Sequence, residues 1–116
     1  MDLKGFEKGK KPIERERNVE RYLVDQVRRI GGLCKKWVCP ESDGMPDRIV
    51  IHSGRIEFVE LKRPGGKLRP LQQKRREELE RQGAKVFTLS TKQEVDDYIF
   101  RLKAVNGMAF VEDAWT

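Results

Sequence analysis

At 116 residues, 38% of them charged and 37% hydrophobic, the chain has room for one small core and not for two domains. No apolar stretch approaches the roughly 20 residues of a membrane-crossing helix, and no charged, apolar and small-residue leader opens the chain, so a soluble intracellular protein is expected. The excess of 25 Lys and Arg over 19 Asp and Glu gives a net charge of +6, which suits a polyanionic partner such as nucleic acid and equally suits solvated basic faces.

Residues 1–13 carry Lys4, Lys8, Lys10 and Lys11 with two glycines and Pro12, and they have no hydrophobic period. A flexible basic arm is expected, either touching a nucleic-acid backbone or simply untethered. From about Glu14 to Ile30 the apolar residues Val19, Tyr22, Leu23, Val27 and Ile30 recur at helical spacing, and Gly31-Gly32 ends the pattern. Glu20 lies on the shoulder of that stripe, within reach of a site at the edge of the core; Glu16, one turn earlier, is its rival.

Leu33 to Val38 reads as a short strand and Pro40 to Gly44 as a loop. Asp47 to His52 is a second strand, rich in β-branched residues. Ser53-Gly54 makes a tight turn, and Arg55 to Lys62 returns as the antiparallel partner. Pairing across a two-residue turn sets Asp47 opposite about residue 60, so the hairpin alone brings Asp47 within reach of Glu60.

Arg63 to Lys67 is a loop, followed by a helix from about Pro70 to Gln82 with Pro70 in its first turn and Gly83 at its exit. Lys85 to Leu89 is a strand that can join the sheet parallel to an earlier one, because it follows a helical crossover. Thr91 caps a final helix, with Glu94 in capping-box position and Val95, Tyr98, Ile99 and Leu102 as its buried stripe. The order is α-β-β-β-α-β-α, in one domain over residues 14–105. Residues 106–116 form an extension whose Met108, Phe110, Val111 and Trp115 suit padding of the core or of a partner subunit.

Cys34 and Cys39 fall on opposite faces of an extended segment, which disfavours a disulfide. With the lone His52 they fall short of a structural zinc set, and His52 is expected to be solvated beside its turn.

The chemistry concentrates at Asp47 and Glu60-Leu61-Lys62. A strand turns alternate side chains to opposite faces, so Glu60 and Lys62 share one face and Leu61 takes the other. Ile56 and Phe58 precede them on the same face, which is therefore expected to be buried at one end. Two carboxylates can hold a hard divalent cation, and an ammonium beside them can balance charge and steer water towards a phosphate. The combination suggests phosphodiester hydrolysis, with the backbone carbonyl of Leu61 as a further metal ligand. Duller readings stand beside it: Asp47 as a residue of the turn into the strand, and Glu60 with Lys62 as a surface ion pair. Gly65-Gly66-Lys67 lacks the first glycine and the Ser or Thr of a phosphate loop. Arg63, Lys67, Arg69, Lys74, Arg75 and Arg76 form a basic cluster suited to a phosphate backbone, or else a helix surface balanced by Glu77, Glu78 and Glu80.

Val19-Glu20-Arg21-Tyr22-Leu23, Gly31-Gly32, Gly44-Met45-Pro46-Asp47-Arg48, Val59-Glu60-Leu61-Lys62, Leu71-Gln72, Leu79 and Gly83 follow one another in an order that resembles the PD-(D/E)XK nuclease superfamily. More specifically, the chain resembles the virus-type replication-repair nuclease (VRR-NUC) domain. The resemblance implies an α/β fold with a restriction-endonuclease-like core, a mixed sheet flanked by helices. It implies Mg²⁺ or Mn²⁺ held by Asp47 and Glu60, with Glu20 and Gln72 completing the site; Gln73 shows how easily that glutamine is misassigned. It implies, too, that Lys62 orients or deprotonates the attacking water.

A metal-dependent DNA endonuclease is thereby implied, selective for branched DNA as Holliday junction resolvases are. So are a homodimer presenting two active sites and, if the chain is phage-encoded, the cytoplasm of the host cell. Two rivals are a non-catalytic protein that binds DNA shape through the basic cluster and an RNA-binding accessory protein, the latter disfavoured by the few aromatic residues.

Overall fold

The structure, a computed structural model, describes residues 16–113, with side chains through residue 104. The basic arm expected over residues 1–13 and the apolar side chains of Met108, Phe110, Val111 and Trp115 lie outside what is described.

Helix α1 (Glu16–Arg29) buries Val19, Leu23 and Val27, one residue per turn along a single face. Its exit is closed by two backbone bonds, Gly31 N–H to the Arg28 carbonyl at 2.9 Å and Gly32 N–H to the Val27 carbonyl at 2.9 Å. Both serve carbonyls that the helix leaves without partners. The chain then enters β1 (Leu33–Lys36), β2 (Arg48–His52) and β3 (Arg55–Leu61). Ser53 and Gly54, at φ 51° and 82°, make the two-residue hairpin turn whose twist matches the flanking strands.

Helix α2 (Pro70–Arg81) carries the chain across to β4 (Val86–Leu89), and α3 (Lys92–Asp113) follows. The strand order is β1-β2-β3-β4, antiparallel except for the parallel β3–β4 pair. This is the mixed sheet and the element order expected from the sequence. At the start of α3, Thr91 Oγ1 accepts the Glu94 N–H at 3.1 Å, and the Glu94 carboxylate accepts the Ser90 N–H at 2.6 Å. Asn106-Gly107 does not end this helix, whose backbone continues to Asp113. No helix among the described residues is long and apolar enough to cross a membrane.

The two faces of the sheet are covered differently. On one, α1 and α3 pack over Val50, Val59, Leu61 and Leu89, with Val95, Tyr98, Ile99 and Leu102 supplied by α3 as expected. Burying such side chains contributes about 1.5–3 kcal/mol each, so this layer supplies most of the stability. On the other face α2 buries no residue completely. Polar side chains hold it there instead: Arg76 donates to the Val86 carbonyl at 2.9 Å and to Thr88 Oγ1 at 2.8 Å, and Arg75 Nε donates to the Asp43 carbonyl at 3.0 Å.

Two local expectations are corrected. The buried side of β3 is Glu57, Val59 and Leu61, and Ile56 is 57% exposed, so the face that carries Glu60 is not the one the core covers. The helices that cover a sheet face are remote in sequence, and alternation within one strand does not say which face they take. His52 is half-buried, and its Nε2 lies 2.8 Å from the Ile30 carbonyl, tying the hairpin to the exit of α1.

Candidate metal and phosphoryl site

The hairpin register pairs Arg48 with Val59. One step further sets Asp47 against Glu60, and the strand pleat points both to the face away from α1. Asp47 Oδ2 accepts the Leu61 N–H at 2.8 Å, and the Asp47 carbonyl accepts the Trp37 N–H at 2.9 Å. The aspartate is thus fixed from both neighbouring strands. Lys62 continues β3 by donating its N–H to the Leu89 carbonyl at 3.0 Å.

Glu60 is only 5% exposed although its face of the sheet is thinly covered. Its cover comes from the entrance of α2 and the loop before Asp47. Gly44 has φ 86°, and a Cβ there would lie 3.0 Å from the backbone C and O of Leu71, so a residue without a side chain lets the loop close onto the helix. That closure places Gln72 above Glu60: Gln72 Nε2 donates to Glu60 Oε2 at 2.6 Å, while its Oε1 accepts the Arg69 N–H at 2.9 Å. Gln73 instead faces outward and donates to Glu77 at 3.0 Å.

Electrostatics mark the pair as strained. Burial, and then the charge of Asp47, push the Glu60 carboxyl up to about 7, against opposition from the Lys62 ammonium. Asp47 is raised as well, chiefly by burial, with Glu20 adding to the shift and the Leu61 N–H, Lys62 and Lys36 opposing it. The half-buried Asp47 and the buried Glu60 resist ionising side by side, and the Lys62 ammonium offsets part of that cost for both.

The donor set is hard: two carboxylates, with the Leu61 carbonyl as a backbone oxygen beside them. Among the described residues no group of three His, Cys, Asp or Glu side chains stands ready as a complete cage. This still fits Mg²⁺ or Mn²⁺, which are held by one or two carboxylates and complete their shells with water and phosphate oxygens.

Glu20 is not brought together with Asp47 and Glu60: its Oε2 accepts Arg48 Nε at 2.7 Å, and only its charge acts on Asp47. Arg48 is not among the site residues expected from the sequence. Its position directly after Asp47 at the head of a strand was the available signal. Lys36, whose charge lowers the Asp47 carboxyl, carries no sequence signal beyond its strand. Of the basic cluster, Arg63, Lys67, Arg69 and Lys74 are exposed. Arg76 has all three guanidinium nitrogens engaged within the chain, by Glu80, Thr88 and Val86, and Arg75 has two engaged, by Asp43 and Glu78. These two arginines hold α2 in place, which the sequence pattern alone does not distinguish from phosphate contact.

The chain is similar to known proteins in both sequence and structure. The chain is 42% identical over 78 residues to a protein described as "Putative nuclease p44" from Acyrthosiphon pisum secondary endosymbiont phage 1, covering 66% of this chain and 84% of that one. Its structure is similar to a solved "VRR_NUC domain" with a TM-score of 0.69 and 32% identity, over 72% of this chain and 92% of the other. No protein-family model matches the sequence.

Proposed function

The chain belongs to the VRR-NUC nuclease family, and on that premise we propose that it is a metal-dependent DNA endonuclease, selective for branched DNA and active as a homodimer. The observation that carries this reading is the meeting of Asp47 and Glu60 on one face of the hairpin, with the Lys62 ammonium acting on both carboxylates. Asp47, Glu60 and the Leu61 carbonyl would hold the cation, with Glu20 as a further carboxylate that could join them. Mg²⁺ or Mn²⁺ bound there supplies neutralisation of the non-bridging phosphate oxygens and a more acidic water.

The chain's own groups do the rest. Lys62 projects from the same face as Glu60 and holds the attacking water by a hydrogen bond, its positive charge opposing the build-up of negative charge at phosphorus. Gln72 keeps Glu60 in one rotamer, so that the carboxylate needs no rearrangement when substrate arrives. Arg63, Lys67, Arg69 and Lys74 lie along the loop and first turns that adjoin the site and follow the phosphate backbone, and Arg75 and Arg76 add to the positive field there.

Incubating purified protein with linear and junction DNA tests the proposal. Cleavage that requires Mg²⁺ or Mn²⁺, favours the junction and is lost in Lys62→Ala is expected. No metal-dependent cutting on any substrate, or undiminished cutting by the variant, contradicts it.

A further inference from the structure

Strand β2 carries Ile49, Val50 and Ile51 in succession. A strand with one wet face alternates polar and apolar side chains, so an unbroken apolar run marks a strand covered on both sides. Val50 is buried in the core beneath α1 and α3, whereas Ile49 and Ile51, turned the other way, stay partly exposed. The register extends that second side across three strands. Residues directly opposite in antiparallel strands share a face, which sets Leu33, Ile51 and Ile56 in one row and Lys35, Ile49 and Phe58 in the next. Leu33 and Ile56 are 51% and 57% exposed. Trp37, whose N–H meets the Asp47 carbonyl, closes the patch with its ring 4.7 Å from that of Phe58. Helix α2 lies on this side of the sheet but is fastened over β4, at the Val86 carbonyl and Thr88, and leaves these rows open.

We propose that a second copy of the chain docks on this face, in a two-fold dimer centred on Ile49, Ile51 and Ile56. The inference deepens the homodimer reading above and rests on it. Charge selects the occupant. Lys35 is the one charged residue in the two rows, so the face offers a phosphate backbone little, and the exposed Arg63, Lys67, Arg69 and Lys74 lie elsewhere, on the loop and α2. For two copies that each carry a net charge of +6, the same scarcity makes this a face of low repulsion. A flat apolar patch is also complementary to itself, as a two-fold interface requires. Three strands about 4.8 Å apart, each contributing about 17 Å of length, give a footprint of roughly 250 Å². That is the apolar centre of an interface whose polar rim brings the total near the usual 800 Å², roughly, per partner. Exposed apolar patches of a few hundred Å² mark such contacts, and Val38, next to Trp37 and 72% exposed, stands at the margin of this one.

Sedimentation equilibrium of the full-length chain, with DNA binding and cleavage measured on the same samples, tests this. Wild type is expected to be a dimer. Ile56→Glu is expected to raise its dissociation constant by about 100-fold or more, because the two-fold axis buries the new charge twice, and Leu33→Glu to act in the same direction. Both positions are exposed in the single chain, so the circular dichroism of the variants stays that of wild type. Phe100→Glu, at a 74% exposed position on α3 across the sheet, leaves the dimer intact. A dimer that survives both Ile56→Glu and Leu33→Glu overturns the inference and leaves the homodimer reading to another surface. A monomeric wild type overturns both, and if its DNA affinity falls in Ile56→Glu the face belongs to nucleic acid. A dimer broken by Ile56→Glu but inactive on every DNA supports the inference and contradicts the endonuclease reading alone.

Discussion

Gln72 and Glu60 are joined side chain to side chain at 2.6 Å, and the same carboxamide receives the backbone N–H of Arg69 on its other end. One residue thus links the entrance of α2, the end of the basic loop and the buried carboxylate of the site. Removing it takes a side-chain donor from Glu60 and a bond from the first turn of α2. Gln72→Ala is expected to lower Mn²⁺ affinity or cleavage by about 10- to 100-fold, whereas Gln73→Ala, whose side chain donates to Glu77 on the outer side of α2, changes neither. Titration and cleavage assays on the two variants side by side check this.

The raised Glu60 carboxyl has a consequence for stability that can be read without any substrate. In the folded protein it titrates at about 7, against 4.5 as its ordinary value. Between those limits the folded protein keeps a proton that the unfolded chain has released. The contribution of Glu60 to metal-free stability is therefore greatest below pH 4.5 and is lost as pH rises to about 7, with Asp47 contributing in the same direction. The slope from one such group approaches about 1.4 kcal/mol per pH unit. Denaturant melts across this window are expected to show the decline in wild type, and a flatter profile in Glu60→Gln and in wild type with saturating Mn²⁺.

Arg76 and Lys67 separate two roles within one basic cluster. Arg76→Ala removes bonds to the Val86 carbonyl and Thr88 Oγ1 and is expected to cost about 1–3 kcal/mol of stability. Lys67→Ala, at an exposed loop position, leaves stability within about 0.5 kcal/mol of wild type and lowers the slope of log affinity for DNA against log salt by about one. Thermal melts and salt-dependent binding isotherms distinguish them.

Much of the site was legible because the hairpin is local. Ser53-Gly54 sets the register through two residues, and that register alone sets Asp47 against Glu60. The stripes of α1 and α3 were legible for the same reason, each being a period within one segment. What escaped was decided by segments distant in the chain. Ile56 and Phe58 do not lie on the core side, because α1 and α3 cover the opposite face of β3. His52 finds the Ile30 carbonyl, and Arg48 finds Glu20, only once α1 is laid across the strands. Glu57, 2% exposed with its Oε1 accepting the Tyr98 hydroxyl at 2.8 Å, is a charge-bearing residue inside the core that no alternation pattern anticipates.

That buried pair supplies a control remote from the chemistry. Tyr98→Phe leaves the Glu57 carboxylate without its hydroxyl donor and is expected to cost about 1–3 kcal/mol. Metal-dependent cleavage per folded molecule stays at the wild-type level, since Glu57 and Tyr98 lie on the helix-covered face and the site on the other. Denaturant melts with activity measured at matched folded fraction check the separation.

The most direct measurement is the anomalous signal from a crystal of the protein soaked in Mn²⁺. One ion, or a close pair, between the carboxylates of Asp47 and Glu60, with the Leu61 carbonyl among its ligands and the Lys62 ammonium facing the same space, is the expected result. Saturating Mn²⁺ with no signal between these two residues, or an ion bound only elsewhere on the chain, would contradict the account.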